Sequence, residues 1–226
     1  CTDDACVGGK CIFTPNQGPG CCVPPLFRDD FSTDKGWVYG IDWERGEAHA
    51  SPKLTSFEPD PAVDHSSAND NMLAGVRIGA NTDKTVHAAY YLTSPAINIA
   101  VATSPQLSFW RFLNSDYPPY MTNSIEVFNG NSWVNLWKQT GSGFITDDEW
   151  QLESYDVTPY KNASFKVRVG VAVGNAGVFA CPSWSVDDMQ IIDNAKLVAQ
   201  PLCCTQNSDC QGPVPAAPGC NVGACQ

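Results

Sequence analysis

The chain has 226 residues, is 43% hydrophobic and 11% aromatic, and carries a formal net charge of −11. This length and apolar content fit one all-β domain with small appendages, or two compact domains, with a sizeable core. The acidic balance argues against nucleic acid and anionic membranes as partners, because both need a basic surface, but it allows divalent cations, and no apolar run reaches the roughly 18 residues needed to span a bilayer.

Cysteines are concentrated at the two ends of the chain, which we assign to cysteine-rich segments 1–25 and 195–226. Five of the 11 cysteines lie in the first 22 residues and five in the last 24. This content indicates an oxidising compartment, and the N-terminal spacings of four, four and nine lack the CxxC pairs typical of zinc. We predict disulfides in a piece of a longer secreted chain. The predicted disulfide cysteines are Cys1, Cys6, Cys11, Cys21, Cys22, Cys181, Cys203, Cys204, Cys210, Cys220 and Cys225.

The middle of the chain, residues 26–194, has the hydrophobic period of two that is typical of half-buried strands. The clearest alternation runs over 165–173, and Asn129-Gly130 lies between two β-rich runs, a strong hairpin signal. No window shows a helical stripe. We predict an all-β, antiparallel two-sheet jelly-roll sandwich. Besides the hairpin, the predicted strands are 36–41, 72–79, 87–93, 106–113, 150–157, 165–173 and 184–192.

No catalytic constellation is visible, and we predict that the chain is not an enzyme. The three histidines, His49, His65 and His87, lie in different segments, and HExxH, GxSxG and P-loop motifs are absent. His65 adjoins Asp64 and is the nearest candidate for a base. The acidic run DDEW, residues 147–150, is interpreted as a solvated turn before a strand.

A Pro-rich loop, LNSDYPPYMTNS at 113–124, is the predicted ligand-binding segment. Tyr117 and Tyr120 stand there between polar residues, as in loops that stack on sugars or dock proteins. Core packing is the favoured interpretation for the tryptophans, which fall mostly at inward strand positions. Those tryptophans are Trp37, Trp43, Trp133, Trp137 and Trp150.

Five motifs give residues 26–193 a resemblance to the MAM-like group of jelly-roll modules. The group includes the cleaved-adhesin modules of gingipains and the C-terminal module of immune inhibitor A peptidases. The motifs occur in the group's order: FRDDFSTDKGW, DHSSANDNMLAGV (64–76), YYLTSPAINI (90–99), LSFWRFLNSD (107–116) and SWSVDDMQII (183–192). The resemblance implies a jelly roll whose first and last strands are neighbours, with a calcium or sodium ion held near them.

The residue types at these positions agree with a structural Ca²⁺ site, because calcium prefers hard oxygen ligands. Carboxylates inside apolar strand ends are costly unless they are compensated. The predicted ligands are Asp30, Asp64, Asp70, Asp187 and Asp188. The group usually carries Glu after the Phe of its opening motif, and here Ser32 stands there, so that ligand is missing or replaced.

The cysteine spacings of the two ends complement each other. CTDDACVGGKC resembles the slime-mould-type cysteine-rich repeat, and the end of one copy followed by the start of another forms one module with ten cysteines. The alternative is that both ends fold back on one sandwich and Cys181 pairs with a leftover cysteine.

From these patterns we predict a non-catalytic extracellular module of a bacterial surface or filamentous appendage protein, assembled head to tail. Its expected partners are copies of itself, other extracellular proteins or glycans. The alternative is a carbohydrate-binding or substrate-targeting module of a secreted hydrolase.

Overall fold

A computed structural model describes the backbone of residues 2–7, 10–15, 25–66 and 70–196. The chain divides into two compact units, Leu26–Ile191 and the two ends, Cys1–Pro25 with Ile192–Gln226. In the second unit, β1 (Thr2–Val7) and β2 (Lys10–Pro15) form an antiparallel hairpin in which Cys6 is opposite Cys11. The side chains of the ten cysteines of the two ends lie outside the described residues, so their disulfides stay predictions.

Twelve further strands are described after the hairpin. They are β3 (Phe27–Asp29), β4 (Val38–Tyr39), β5 (Trp43–Glu47), β6 (Met72–Val76), β7 (His87–Thr93), β8 (Pro105–Ser115), β9 (Met121–Phe128), β10 (Trp133–Lys138), β11 (Ile145–Thr146), β12 (Gln151–Asp156), β13 (Lys166–Val173) and β14 (Ser183–Asp193). Two 3-10 helices cover Thr158–Tyr160 and Asn194–Lys196. Neither helix, nor any other in the described part of the chain, is long and apolar enough to cross a membrane.

These strands form two antiparallel sheets. The five-stranded sheet has the order β10-β9-β13-β7-β4, and the seven-stranded sheet has the order β11-β8-β14-β6-β5. In the larger sheet β12 also pairs with β8, and the first strand of the sandwich, β3, pairs with its last strand, β14. The predicted all-β, two-sheet jelly-roll sandwich is therefore confirmed.

The core lies between the sheets and follows the predicted alternation. Along β13, Val167, Val169, Val171 and Val173 are at most 2% exposed, while the residues between them face outward or lack a side chain. The hairpin between β9 and β10 is closed by Asn129, whose side-chain oxygen accepts from the backbone N–H groups of residues 131 and 132. Gly130 has a φ of +99° there, a conformation that glycine adopts without strain.

The predicted strands agree with β4, β6, β7, β8, β12, β13 and β14, and the predicted hairpin joins β9 to β10. The sequence pattern missed β5, because its run WERGE is mostly polar. Trp37 and Trp43 are buried as predicted, and Trp137 is partly exposed but packs against the core, whereas Trp133 and Trp150 are partly exposed.

Two residues differ from the predictions. Asp147 does not lie in a solvated turn: it is 8% exposed and its carboxylate binds Arg111, because that guanidinium points into the core side of β8. Cys181 is a free thiol with no exposed surface, enclosed by Thr82 and Met121 in the sandwich. Its predicted disulfide is therefore absent from this structure.

Candidate functional site

Four aromatic side chains from three loops form a continuous cluster, which we call the aromatic patch: Tyr117, Tyr120, Phe144 and Phe179. The ring centroids of Tyr117 lie 5.4 Å from Tyr120 and 5.6 Å from Phe144, and the Phe144 and Phe179 rings are 5.8 Å apart. Phe144 is 40% exposed and Phe179 is 57% exposed. The predicted pair Tyr117 and Tyr120 is thus one part of a larger surface.

The aromatic patch is positioned from below by Asp116, which has no exposed surface. Its carboxylate accepts the backbone N–H of Tyr117 and the backbone N–H of Phe179, both at 2.8 Å. Hydrogen bonds to a buried carboxylate are stronger than bonds between neutral groups. One side chain therefore fixes two of the three loops.

A buried polar network continues beneath Asp116. The side-chain amide of Gln139 donates to the Asp116 carbonyl at 2.8 Å, and Asn123 donates to Gln139 at 2.7 Å and to Ser115 at 2.6 Å. All these side chains are buried. Oδ1 of Asn123 has no hydrogen-bond partner among the described residues, and the other contacts of this network connect Asp116 to β9 and to the end of β10.

Apart from Asp116, which is buried, the loops that carry the aromatic patch contain no charged residue. Segments 117–120, 140–144 and 174–180 consist of aromatic, small, proline and uncharged polar residues, in a chain with 24 acidic and 13 basic residues. Aromatic enrichment and depletion of charge are the features of interface centres. Sequence reasoning missed Phe144 and Phe179 because each stands alone in a Gly-rich stretch.

A second surface lies on the outer face of the five-stranded sheet. The guanidinium of Arg168 lies 3.8 Å from the ring centroid of Tyr91 and 4.0 Å from that of Trp133. It also binds Glu126 through Nε at 2.9 Å and Nη2 at 2.5 Å. We call Tyr91, Trp133, Arg168 and Glu126 the sheet-face platform. It combines aromatic rings with polar groups. Tyr91, Trp133 and Arg168 are partly exposed, and Glu126 is 7% exposed.

The acidic residues near β12 are held inside the sandwich. Arg111 binds Asp147 through Nε at 3.0 Å and Glu153 through Nη1 at 2.6 Å, and its guanidinium lies 5.8 Å from the Trp137 ring. The Tyr155 hydroxyl donates to Glu153, and burial followed by this bond raises the Tyr155 pKa. The carboxylates of Asp147 and Glu153 both pair with Arg111 and are not arranged as a general acid and base.

Four of the five predicted metal ligands, Asp64, Asp70, Asp187 and Asp188, are brought together, and we call them the loop carboxylates. The carboxylate of Asp187 has no exposed surface and accepts the backbone N–H groups of His65 at 2.9 Å, Ser66 at 3.0 Å and Asp188 at 2.7 Å. Burial raises the pKa of Asp187 to about 8. Burial also raises the pKa of Asp64, and the nearby Asp70 and Asp188 add to the effect.

His65 links this group to the outer face of the seven-stranded sheet. Its Nδ1 lies 2.8 Å from Oδ2 of Asp188, and its ring stacks on Trp110 at a centroid distance of 3.9 Å. Asp188 itself has a left-handed φ of 46°, which is uncommon for a residue other than glycine. The histidine is thus held between an aromatic ring and a carboxylate, and its ring nitrogen contacts Asp188 and not Asp64.

Asp30, the fifth predicted ligand, accepts the backbone N–H of Ser32 at 3.1 Å. That bond and the positive charge of Lys35 lower its pKa, although burial alone acts in the opposite direction and is the largest influence. Within residues 25–66 and 70–195, no group of three or more His, Cys, Asp or Glu side chains is arranged to hold a metal ion. As they stand, Asp187 and Asp188 use donors of the chain, and calcium stays a prediction.

A further buried carboxylate, Asp60, lies close to Cys181. Asp60 is 4% exposed, and its Oδ2 has no hydrogen-bond partner among the described residues. Burial raises its pKa to about 7, and burial likewise raises the pKa of the Cys181 thiol to about 11. A thiol in this state is a poor nucleophile, because the thiolate is the reactive form.

Comparisons with known proteins give structural similarities without a sequence family. No protein-family model matches the chain, and no curated protein matches it. Similar solved structures include the K1 cleaved adhesin domain of Lys-gingipain from Porphyromonas gingivalis W83, at 14% identity over 73% of this chain and 96% of that chain, with a TM-score of 0.43. Another is TmCBM61 in complex with beta-1,4-galactotriose, at 13% identity over 70% and 89%, with a TM-score of 0.42.

A third similar structure is the C-terminal CBM6 of LamC from Zobellia galactanivorans. It shares 9% identity over 74% of this chain and 98% of that chain, with a TM-score of 0.39. Identities this low carry no information about what the present chain binds.

Proposed function

We propose that the chain is a non-catalytic extracellular adhesive module whose aromatic patch is its contact surface. The observation that carries this proposal is the exposure of Phe144 and Phe179 beside Tyr117, on loops whose exposed residues carry no charge. Exposed apolar side chains that adjoin one another are typical of protein contact sites. The engagement of Asp147, Glu153 and Asp187 by donors of the chain supports a module without catalysis.

The partner that we propose for the aromatic patch is a second copy of the module. Two copies with a net charge of −11 repel each other, and an uncharged contact reduces that repulsion. The polar groups that a sugar needs are scarce here, because Asp116, Asn123 and Gln139 are buried and bind one another. This chemistry favours an apolar protein surface over a glycan.

Self-association of the intact chain tests the proposal. Phe144→Ser with Phe179→Ser should abolish the concentration-dependent rise in sedimentation coefficient while the chain remains folded. The matched control is Val63→Ser with Val101→Ser, two side chains that are 66% and 87% exposed outside the patch. The proposal is contradicted if the wild-type chain stays monomeric up to millimolar concentration. It is also contradicted if the control variant loses self-association to the same extent as the patch variant.

We also propose that copies of the module assemble head to tail through their cysteine-rich ends. Its support is the complementary spacing of the two ends and the odd number of five cysteines in each. Disulfide mapping by mass spectrometry of non-reduced material tests it. Bridges confined to one chain, in a protein that sediments as a compact monomer, would contradict this arrangement.

A carbohydrate-binding module is the second candidate function, and the sheet-face platform favours it. Half-buried Tyr91 and Trp133 rings beside Arg168 and Glu126 offer apolar faces together with hydrogen-bonding groups, which suit a sugar chain. Trp133→Ala should then remove binding on a glycan array, with the aromatic-patch variant unaffected. An array without any wild-type signal would exclude this candidate.

Calcium remains a proposal for the loop carboxylates. An ion that binds only the folded state stabilises it by mass action, so excess chelator should lower the melting temperature by several degrees. The control is readdition of Ca²⁺ to the same sample, which should restore the melt. An unchanged melt in chelator would contradict a resident ion.

A further inference from the structure

A set of oxygen atoms gathers where the first strand of the sandwich ends. We call it the first-strand oxygen cluster: the backbone carbonyl oxygens of Arg28, Phe31 and Ser32, and the carboxylate of Asp29. Asp29 and Phe31 have no exposed surface. Carbonyl and carboxylate oxygens are the ligands that Ca²⁺ prefers, and β3 pairs with β14, the place where the sequence resemblance expects an ion.

Every oxygen of this cluster is bound by a donor of the chain. Nη1 of Arg45 donates to the carbonyl of Phe31 at 2.9 Å and to that of Ser32 at 3.3 Å. Nζ of Lys35 donates to the Arg28 carbonyl at 2.8 Å and lies 3.5 Å from Oδ1 of Asp29. Two cationic side chains therefore occupy the space around the oxygens.

The carboxylate of Asp29 is satisfied from the opposite side as well. Its Oδ1 accepts the backbone N–H of Phe31 at 2.9 Å, and its Oδ2 accepts the indole N–H of Trp37 at 2.7 Å. Phe31 has a φ of 56°, a left-handed conformation that is unfavourable for a bulky side chain. Such a conformation persists only where surrounding contacts hold it, and here Asp29 and Arg45 hold the two ends of the residue.

Arg45 reaches the cluster because β5 is paired with β6, where Arg45 is opposite Ala74. Its neighbour on the same strand face, Trp43, is 4% exposed, so the arginine stem runs along the edge of the core. The position of Ser32 agrees with this arrangement. The carboxylate that the resemblance expects after Phe31 is absent, and the Ser32 backbone carbonyl receives the guanidinium instead.

We propose that Arg45 and Lys35 take the place of a metal ion at the start of the sandwich. The first-strand oxygen cluster does not fit a divalent ion, because that ion would meet the Arg45 guanidinium at two of the carbonyl oxygens and the Lys35 ammonium at the third carbonyl and the carboxylate. The strained loop after β3 is therefore held by cations that belong to the chain. This inference concerns the cluster alone and is independent of calcium at the loop carboxylates.

The experiment needs a readout local to the cluster, and the indole N–H of Trp37 provides one. In ¹H–¹⁵N spectra of the intact chain, the Trp37 indole signal should keep its position when Ca²⁺ is added and when excess chelator is added. Arg45→Met should shift that signal and lower the melting temperature by at least about 4 °C. Arg45→Lys should recover part of this loss, because it keeps the charge and a donor.

Lys53→Met is the matched control, since Lys53 pairs with Glu58 on the surface and is 59% exposed. If Arg45→Met does not fold, Lys35→Met gives the same local test, because that side chain is 39% exposed and its loss is milder. Two results overturn the inference. One is a Trp37 signal that moves with Ca²⁺ or chelator in the wild type, and the other is Arg45 and Lys35 variants that are no less stable than the Lys53 variant.

Discussion

Oδ2 of Asp116 accepts a hydrogen bond from the backbone N–H of Phe179, 63 residues further along the chain, at 2.8 Å. The other oxygen of the same carboxylate binds the N–H of Tyr117. A single buried side chain thus sets the distance between two loops of the aromatic patch. The geometry of the aromatic patch therefore depends on Asp116, which is buried and cannot contact a partner.

Asp116→Asn should destabilise the fold and loosen the aromatic patch. The amide keeps one acceptor but places an NH₂ group where the second N–H points, so one buried donor loses its partner. Such a loss costs about 1–3 kcal/mol. Urea unfolding measures it, with exposed Asp148→Asn as the control. Equal stability of the two variants would contradict the role assigned to Asp116.

Asp60→Asn should stabilise the protein at pH 8 more than at pH 5. Burial raises the folded-state pKa of Asp60 to about 7, from an ordinary aspartate pKa near 3.8. The contribution of such a group to stability is full below its unfolded pKa and is lost as the pH rises through the folded pKa. At pH 8 the buried carboxylate is charged and has an oxygen without a partner, which the amide variant avoids.

The measurement is the free energy of unfolding of both proteins at the two pH values. The expected change in their difference is on the order of 1–3 kcal/mol. Exposed Glu149→Gln should show no such change between pH 5 and pH 8. A pH-independent effect of Asp60→Asn would mean that Asp60 does not titrate in this range.

Arg111→Met should be among the most destabilising substitutions in the sandwich. It leaves the carboxylates of Asp147 and Glu153 without their cation inside the protein, and breaking such a partly buried pair costs about 3–5 kcal/mol. Lys53→Met removes a surface ion pair with Glu58 and should cost less than about 1 kcal/mol. Chemical denaturation compares the two, and similar losses would contradict a buried role for Arg111.

Gly170→Ala should disturb the sheet-face platform. A Cβ at this position would lie 2.5 Å from Cε1 of Tyr91, so the ring must move away from Arg168. We expect a loss of about 1–3 kcal/mol, as for overpacked sites, and a change in tyrosine absorbance. Gly143→Ala is the control, because nothing lies within 4 Å of the added atom. An unchanged melt for Gly170→Ala would show that the ring adapts freely.

Most of the fold could be predicted from the sequence because a half-buried strand requires apolar and polar residues to alternate along it. Val167, Val169 and Val171 show it in β13, and Asn129-Gly130 marks the β9–β10 hairpin by local turn chemistry. The polar strand β5 could not be predicted in this way. Its place depends on pairing with β6, and pairing is a long-range property.

The candidate sites were less predictable for the same reason. Tyr117 and Tyr120 are recognisable in one loop, but Phe144 and Phe179 join them only through folding. Asp147 has the composition of a solvated turn, and only the arrival of Arg111 from β8 makes it a buried residue. Composition identifies which groups are available, and tertiary contacts decide which of them meet.

The enclosure of Cys181 has a consequence for the order of oxidative maturation. Removing this thiol from the total of 11 leaves ten cysteines, an even number that can pair completely. If oxidation precedes closure of the sandwich, Cys181 competes for every partner and one other cysteine is stranded. If the sandwich closes first, burial and the raised thiol pKa keep Cys181 out of thiol–disulfide exchange. Correct disulfide pairing among the cysteines of the two ends would then depend on prior folding of the sandwich.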